Sequence, residues 1–136
     1  MKINHAYIKN ILLAVESEGD ARPYLLDILK KLDLDDFNQE FLLHYEVLFD
    51  YGFIESTLED HSIGVQQGAG GDIAWSNIPI RLTASGHEFI EAMNKIEIWE
   101  IIKKDFKESS IKTIFKVATD LAEGFAKQKV EKILSE

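Results

Sequence analysis

The first fifty residues carry apolar positions at helical spacing. Apolar side chains recur every three or four residues over 3–17, which predicts an amphipathic first helix. Pro23 is placed to begin a short second helix with the same periodicity. Asp35 or Asp36 is placed to cap a third helix, and Gly52 is placed to end it because glycine tolerates a left-handed conformation.

Beyond the third helix the pattern changes from helical spacing to alternation. Residues 53–58 alternate apolar and polar positions, and residues 73–82 form a second apolar segment, so two strands of a hairpin are predicted. The segment 59–72 between them holds four glycines and no proline. We therefore expect a long, mobile loop at the tip of this hairpin.

Helical spacing returns in the last third of the chain. Thr83 is placed to cap a helix over 84–106 whose length predicts a break near Lys95. Ser109 or Ser110 is placed to cap a last helix, and its apolar stripe is wide for a surface helix. Three helices, a hairpin and further helices give the order of an α+β winged helix-turn-helix domain with a C-terminal helical extension.

We place the winged-helix-like domain at residues 1–94 and the extension at 95–136, within a single compact domain overall. The extension is expected either to fold back on the first helix or to mediate dimerisation. A homodimer through residues 110–134 is therefore one of two expectations for the last helix.

Two local motifs strengthen this interpretation. The stretch LLHYEVLFDYGFIE, residues 42–55, resembles the end of a recognition helix that enters a first wing strand, and RLTASGHEFIEAM, residues 81–93, resembles the exit from the second strand. Together with Trp99 and a C-terminal helix, they are similar to a family of short, uncharacterised proteins of bacteria and their phages or prophages. The resemblance covers residues 3 to about 125 and implies a winged fold and a role in phage and host interplay.

The charge distribution bears on the kind of partner. The 136 residues contain 15 basic and 24 acidic side chains, a net charge of −9, with a net −10 in residues 1–94 and +1 in 95–136. The predicted third helix and the loop 59–72 have no Lys or Arg, which disfavours direct DNA binding because cations supply most of that affinity. A DNA-binding regulator would need six basic residues to cluster on one face: Lys2, Lys9, Arg22, Lys30, Lys31 and Arg81.

Composition also limits where the protein is expected to act. The chain has no cysteine, so it forms neither a disulfide nor a thiolate metal site. Residues 1–20 do not have the pattern of a signal peptide, and the longest apolar runs are far shorter than the roughly 20 residues that cross a bilayer. We expect a cytoplasmic protein without a membrane span.

Candidate catalytic and ligand-binding motifs are weak. The four histidines lack the close pairing typical of a zinc site, and His87 with Glu91 is better explained as a histidine near a carboxylate at a helix start. The glycine run 68–71 lacks the Lys and Ser or Thr of a phosphate loop, and Ser85 has no nucleophile-elbow motif. We predict no catalytic residue, metal or cofactor, and an enzyme assembled from distant residues ranks third among the alternatives.

The sequence therefore favours a non-catalytic regulatory or adaptor protein that binds another protein. The predicted contacts lie on the third helix and the wing tip: Asn38, Gln39, His44, Glu46, Asp50, Gln66, Gln67 and Gly70. Trp75 either packs on the hairpin or stands exposed as an interface anchor, and packing is favoured. The alternative function is a winged-helix transcription regulator.

Overall fold

The computed structural model describes every residue from Met1 to Glu136 and has an α+β architecture of helices with two small antiparallel sheets. Its elements are α1 (His5–Glu16), α2 (Leu25–Lys31), α3 (Gln39–Asp50), β1 (Ile54–Ser56), β2 (Val65–Gln67), β3 (Ile73–Trp75), β4 (Ile80–Leu82), α4 (Ala84–Met93), α5 (Ile96–Asp105) and α6 (Ile111–Leu134). The chain divides into two compact units, Met1–His87 and Glu88–Glu136, whereas the sequence analysis placed its boundary after residue 94.

The three predicted N-terminal helices are confirmed, with one change of cap. Asn38, and not Asp35 or Asp36, caps α3, because its Oδ1 accepts a hydrogen bond from the Phe41 amide at 2.8 Å. Gly52 ends α3 with a φ of +70°. The amide of Phe53 then donates to the Leu48 carbonyl, which satisfies a group that the helix end leaves free.

The predicted pairing of the segments 53–58 and 73–82 is confirmed, but the second segment is not one strand. β1 pairs antiparallel with β4, with Ile54 opposite Leu82, and the second predicted strand is divided between β3 and β4. The predicted mobile loop 59–72 contains β2, which pairs with β3 in a second hairpin. The turn of this hairpin is closed by the Gly68 amide, which donates to the Asp72 carbonyl at 2.8 Å.

A short bridge ties the start of α2 to the strand region. Tyr24 forms an antiparallel bridge with Pro79, the Leu25 amide donates to the Ile78 carbonyl, and the Ile80 amide donates to the Pro23 carbonyl. The segment before α2 therefore lies beside β4 as a minimal third strand, which no alternating pattern in the sequence marks.

The core of the first unit is built from the apolar faces of α1, α2 and α3 and from β1 and β4. Its fully buried side chains include Ile8, Ile11, Leu12, Leu25, Ile28, Leu29, Phe41, Tyr45, Leu48, Ile54 and Ile80. The helical members of this set are those that the helical spacing placed on one side of each helix, because burial of apolar area is what selects that spacing.

The helices of the C-terminal region begin and end largely as predicted. Thr83 caps α4, since its Oγ1 accepts from the Gly86 amide at 3.1 Å, and the predicted break occurs at Lys95, which precedes α5. Ser110 caps α6 by accepting from the Thr113 amide. No helix combines the length and the apolar content needed to cross a membrane.

Candidate partner-binding face

The outer side of α3 holds three of the predicted contact residues. Gln39, Glu46 and Asp50 are exposed. Asn38 is exposed as well, but its side-chain oxygen is engaged in capping the helix. This side of α3 therefore offers carboxylates and an amide to a partner, and no cation.

His44 does not belong to this face, which corrects the sequence prediction. Its side chain is only 1% exposed, and its ring stacks on Tyr7 with the centroids 4.6 Å apart. Nε2 accepts a hydrogen bond from the Asn4 amide at 2.8 Å, and Nδ1 lies 2.7 Å from the Glu40 carbonyl oxygen, to which it donates. The sequence pattern did not predict this role because a histidine between apolar neighbours is compatible with an exposed side chain and with a buried, hydrogen-bonded one.

Replacing His44 by Ala should destabilise the fold by about 2 kcal/mol, because the substitution leaves a cavity and an unpaired Asn4 amide. Urea denaturation measures this change. His87→Ala, at an exposed position, is the control and should stay within about 0.5 kcal/mol of the parent. Equal stability of the two variants would contradict the packing role of His44.

The second hairpin is anchored at the N-terminal end of α3. Trp75 of β3 donates from Nε1 to Asp36 Oδ1 at 2.6 Å, and its ring packs on Phe37 with the centroids 5.2 Å apart. Asp36 Oδ1 also accepts from the Phe37 amide. Trp75 is half-buried, so the predicted packing is confirmed, although its contacts are with the segment before α3.

This anchor places the predicted wing residues beside α3. Gln66 and Gln67 lie on β2 opposite Ala74 and Ile73, one and two positions from Trp75 in the pairing, and both are exposed. Gly70 lies in the turn, with open space where a side chain would stand. We give the name acidic face to seven exposed residues of α3 and of the second hairpin: Gln39, Glu46, Asp50, Gln66, Gln67, Gly70 and Asp72.

A second bond joins α3 to the segment that enters the hairpin. The Tyr45 hydroxyl donates to the Ile63 carbonyl at 2.8 Å, and the next residue, Gly64, accepts from the Ser76 amide at 2.7 Å. Burial raises the pKa of the Tyr45 phenol well above its ordinary value. The neutral phenol is thus part of the attachment between helix and hairpin.

Tyr45→Phe should lower the free energy of unfolding by about 1 kcal/mol at neutral pH, because one buried hydrogen bond is lost. Since the folded pKa lies above the unfolded value of about 10, the phenol's contribution is complete below pH 10 and declines as the pH rises above it. The variant should therefore lose stability less steeply between pH 9.5 and 11. Tyr24→Phe, at an exposed position, serves as the control, and an unchanged slope in Tyr45→Phe would refute the assignment.

The stretch of sequence that contains the acidic face carries charge of a single sign. No Lys or Arg occurs between Lys31 and Arg81, and that stretch contains ten acidic residues, every one exposed: Asp33, Asp35, Asp36, Glu40, Glu46, Asp50, Glu55, Glu59, Asp60 and Asp72. Of these, Glu55 forms an ion pair with Arg81. Asp72 was not among the predicted contact residues, and the uninterrupted absence of cations was the signal that would have found it.

The cations that a DNA-binding surface would need do not form a basic patch free of acidic residues. Arg22 and Arg81 do line one groove of about 670 Å³, but Glu16, Asp20 and Glu55 line it too. Lys31, outside that lining, forms an ion pair with Glu18. No group of three or more His, Asp or Glu side chains is arranged to hold a metal ion.

These features define a class: an α+β protein with a strongly acidic exposed face built from a helix and an adjoining hairpin. The chain belongs to the family described as a hypothetical protein family, DUF2513, whose model matches residues 2–112. This confirms the part of the predicted resemblance that concerns an uncharacterised family. No curated protein and no solved structure is significantly similar to the chain.

Proposed function

We propose that the first unit is a winged helix-turn-helix domain. Three helices precede the strands, β1 pairs with β4, and the bridge of Tyr24 to Pro79 supplies the short third strand that such domains use. The hairpin of β2 and β3 would be the wing, and α3 would stand where the recognition helix stands. The order and pairing of the elements support this assignment.

We further propose that the protein is a non-catalytic, cytoplasmic regulator or adaptor that binds a basic surface of a protein partner through the acidic face. The observation that carries this proposal is the stretch between Lys31 and Arg81, which holds ten exposed carboxylates and no Lys or Arg. A face of one sign attracts the opposite sign over distances of about a Debye length and speeds encounter with such a partner.

The anchored hairpin supports protein recognition because it presents two elements together. The Trp75 bond to Asp36 and the Tyr45 bond to Ile63 fix the hairpin against α3, so little ordering entropy is lost when both contact a partner. Gln66 and Gln67 add donors and acceptors beside the carboxylates. A setting in phage and host interplay rests on the resemblance of the two sequence motifs to phage and prophage proteins.

A DNA-binding transcription regulator is the second candidate, and the groove that holds both arginines of the chain favours it. A phosphate there would meet Arg22, Arg81 and His87. The same groove presents Glu16, Glu18 and Asp20, and α3 offers no cation to a DNA groove. The electrostatic balance therefore favours protein recognition over DNA binding.

Affinity capture from a lysate of the source organism, with and without nuclease, separates the two. A stoichiometric protein that survives nuclease and elutes at moderate salt is the expected result, since the attraction is electrostatic. Recovery of nucleic acid alone, or loss of every bound protein after nuclease, would favour the transcription regulator instead.

A further inference from the structure

The C-terminal half of α6 has an apolar stripe that the fold leaves in solvent. The first half is buried at Ile111, Ile114 and Ala118. Farther along, the exposed fractions are 37% for Phe125, 53% for Val130, 58% for Ile133 and 78% for Leu134. Every residue from 125 to 136 is exposed, and the exposed fraction of the large apolar side chains rises toward the end of the helix.

This exposed half is built as an amphipathic helix and not as a frayed end. Ala122, Ala126, Val130 and Ile133 follow each other at spacings of four, four and three residues, which places them on one side. The ion pair of Glu123 with Lys127 lies off this stripe. A helical segment of this length without tertiary contacts has only marginal stability in water, so we expect another molecule to cover the stripe.

We propose that the occupant is a second copy of this chain, whose α6 lies antiparallel across the same stripe between residues 121 and 134. This inference concerns a different surface from the acidic face and stands independently of the proposed function. Most of α6 lies beyond the family match, which ends at residue 112.

The order of side-chain sizes along the stripe favours a partner identical to itself. The stripe has small residues at its start, Ala122 and Ala126, and large ones at its end, Val130 and Ile133. In an antiparallel pair, Ala122 faces Ile133 of the second copy, so that large side chains fill the space beside small ones at both ends.

Charge opposes the parallel alternative. Lys129 lies beside the stripe, between Ala126 and Ile133, on a position that a parallel pair would place against Lys129 of the second copy. Two like charges at such a contact disfavour that arrangement. In the antiparallel arrangement Lys129 instead lies near Ala126 of the second copy, where its aliphatic stem covers apolar surface and its ammonium stays in water.

The available area predicts a reversible dimer. At roughly 150–200 Å² for each fully exposed large side chain, Val130 and Ile133 with half of the exposed area of Phe125 and Leu134, which flank the stripe on opposite sides, offer about 300 Å² per chain. Two chains with the alanines and lysine stems included would bury about 800 Å², which is smaller than most specific interfaces. We therefore expect a dimer that forms at high protein concentration and dissociates on dilution.

Sedimentation equilibrium of the full chain between 10 and 500 µM tests self-association. The parent should approach the dimer mass at the upper concentrations, and Ile133→Glu should remain monomeric, since it places a charge in the contact. Gln128→Glu, which adds the same charge on the opposite side of α6, is the matched control and should dimerise like the parent. Both positions are exposed, so neither variant threatens the fold.

Disulfide trapping tests the direction, because the chain has no cysteine of its own. An oxidised mixture of Ala122→Cys and Ile133→Cys should give a mixed disulfide, while each variant alone stays unlinked. A strictly monomeric parent at 500 µM, or linkage of Ile133→Cys to itself, would overturn the proposal. Binding of the monomer to vesicles of phosphatidylcholine and phosphatidylglycerol, lost in Ile133→Glu, would also overturn it in favour of a membrane surface.

Discussion

Gly86→Ala should be among the most damaging single substitutions in the chain. A Cβ at this position would lie 2.0 Å from the Phe53 carbonyl oxygen and 3.0 Å from its carbon. The same oxygen accepts the Thr83 amide at 3.0 Å, so the backbone before β1 and the start of α4 hold each other and neither can withdraw cheaply. We expect a loss of about 3 kcal/mol or more in the free energy of unfolding.

Gly124→Ala is the matched control for this prediction. Gly124 also lies within a helix, but no atom stands within 4 Å of the place its Cβ would take. Alanine there should stabilise the helix by about 0.5–1 kcal/mol. Urea denaturation of the two variants should therefore give changes of opposite sign, and a neutral Gly86→Ala would disprove the close approach.

Charge reversal on the acidic face should produce the largest effect on binding. The variant Glu46→Lys, Asp50→Lys, Asp72→Lys changes three exposed carboxylates, and a cation at residue 50 suits the C-terminal end of α3. At about 1 kcal/mol or more for each close charge pair, affinity for a basic partner should fall roughly 100-fold or more at low salt. Titration calorimetry with the captured partner measures it.

A second variant distinguishes the effect of the acidic face on binding from the effect of the total charge. Glu97→Lys, Glu108→Lys, Glu131→Lys makes the same change in net charge at exposed positions outside the acidic face. It should lose far less affinity than the first variant, because its three positions lie outside the face proposed to contact the partner. Equal losses in both variants would mean that net charge, and not this face, governs binding.

The helices could be predicted from the sequence because apolar spacing and capping residues act locally. The six helices follow from periodicity, and Thr83, Ser110 and Gly52 act as predicted at their ends. The cap of α3 was misplaced because Asp35, Asp36 and Asn38 are all good caps. Only the folded structure shows that Asp36 accepts a hydrogen bond from Trp75 and that Asn38 caps the helix.

The second hairpin could not be predicted in the same way because its strand β2 is short and lies in a polar, glycine-rich segment. Residues 73–82 were predicted as one strand, yet β3 pairs with β2, and only β4 pairs with β1. The glycines that indicated a mobile loop instead serve this second hairpin, where Gly64 and Gly71 adopt positive φ. Turn residues mark where a chain can reverse and do not show which strands then meet.

The sequence predicted which helix and hairpin form the candidate site, but it predicted less well which of their residues belong to it. The absence of Lys and Arg from α3 and the wing indicated an acidic surface, and Gln39, Glu46, Asp50, Gln66 and Gln67 are exposed there. His44 is buried, with its ring on Tyr7 and its Nε2 accepting from the Asn4 amide, forty residues away. No local pattern reveals such contacts.

Site-specific photo-cross-linking in cells would test the central claim most directly. A photoreactive residue placed at Gln39 on α3 and, separately, at Gln66 on the second hairpin should capture the same protein partner, and the adduct should persist after nuclease. The same residue at Gln128, on the exposed side of α6, should not capture it. Adducts to nucleic acid, or a partner captured at Gln128 and at neither of the other positions, would contradict recognition of a protein by the acidic face.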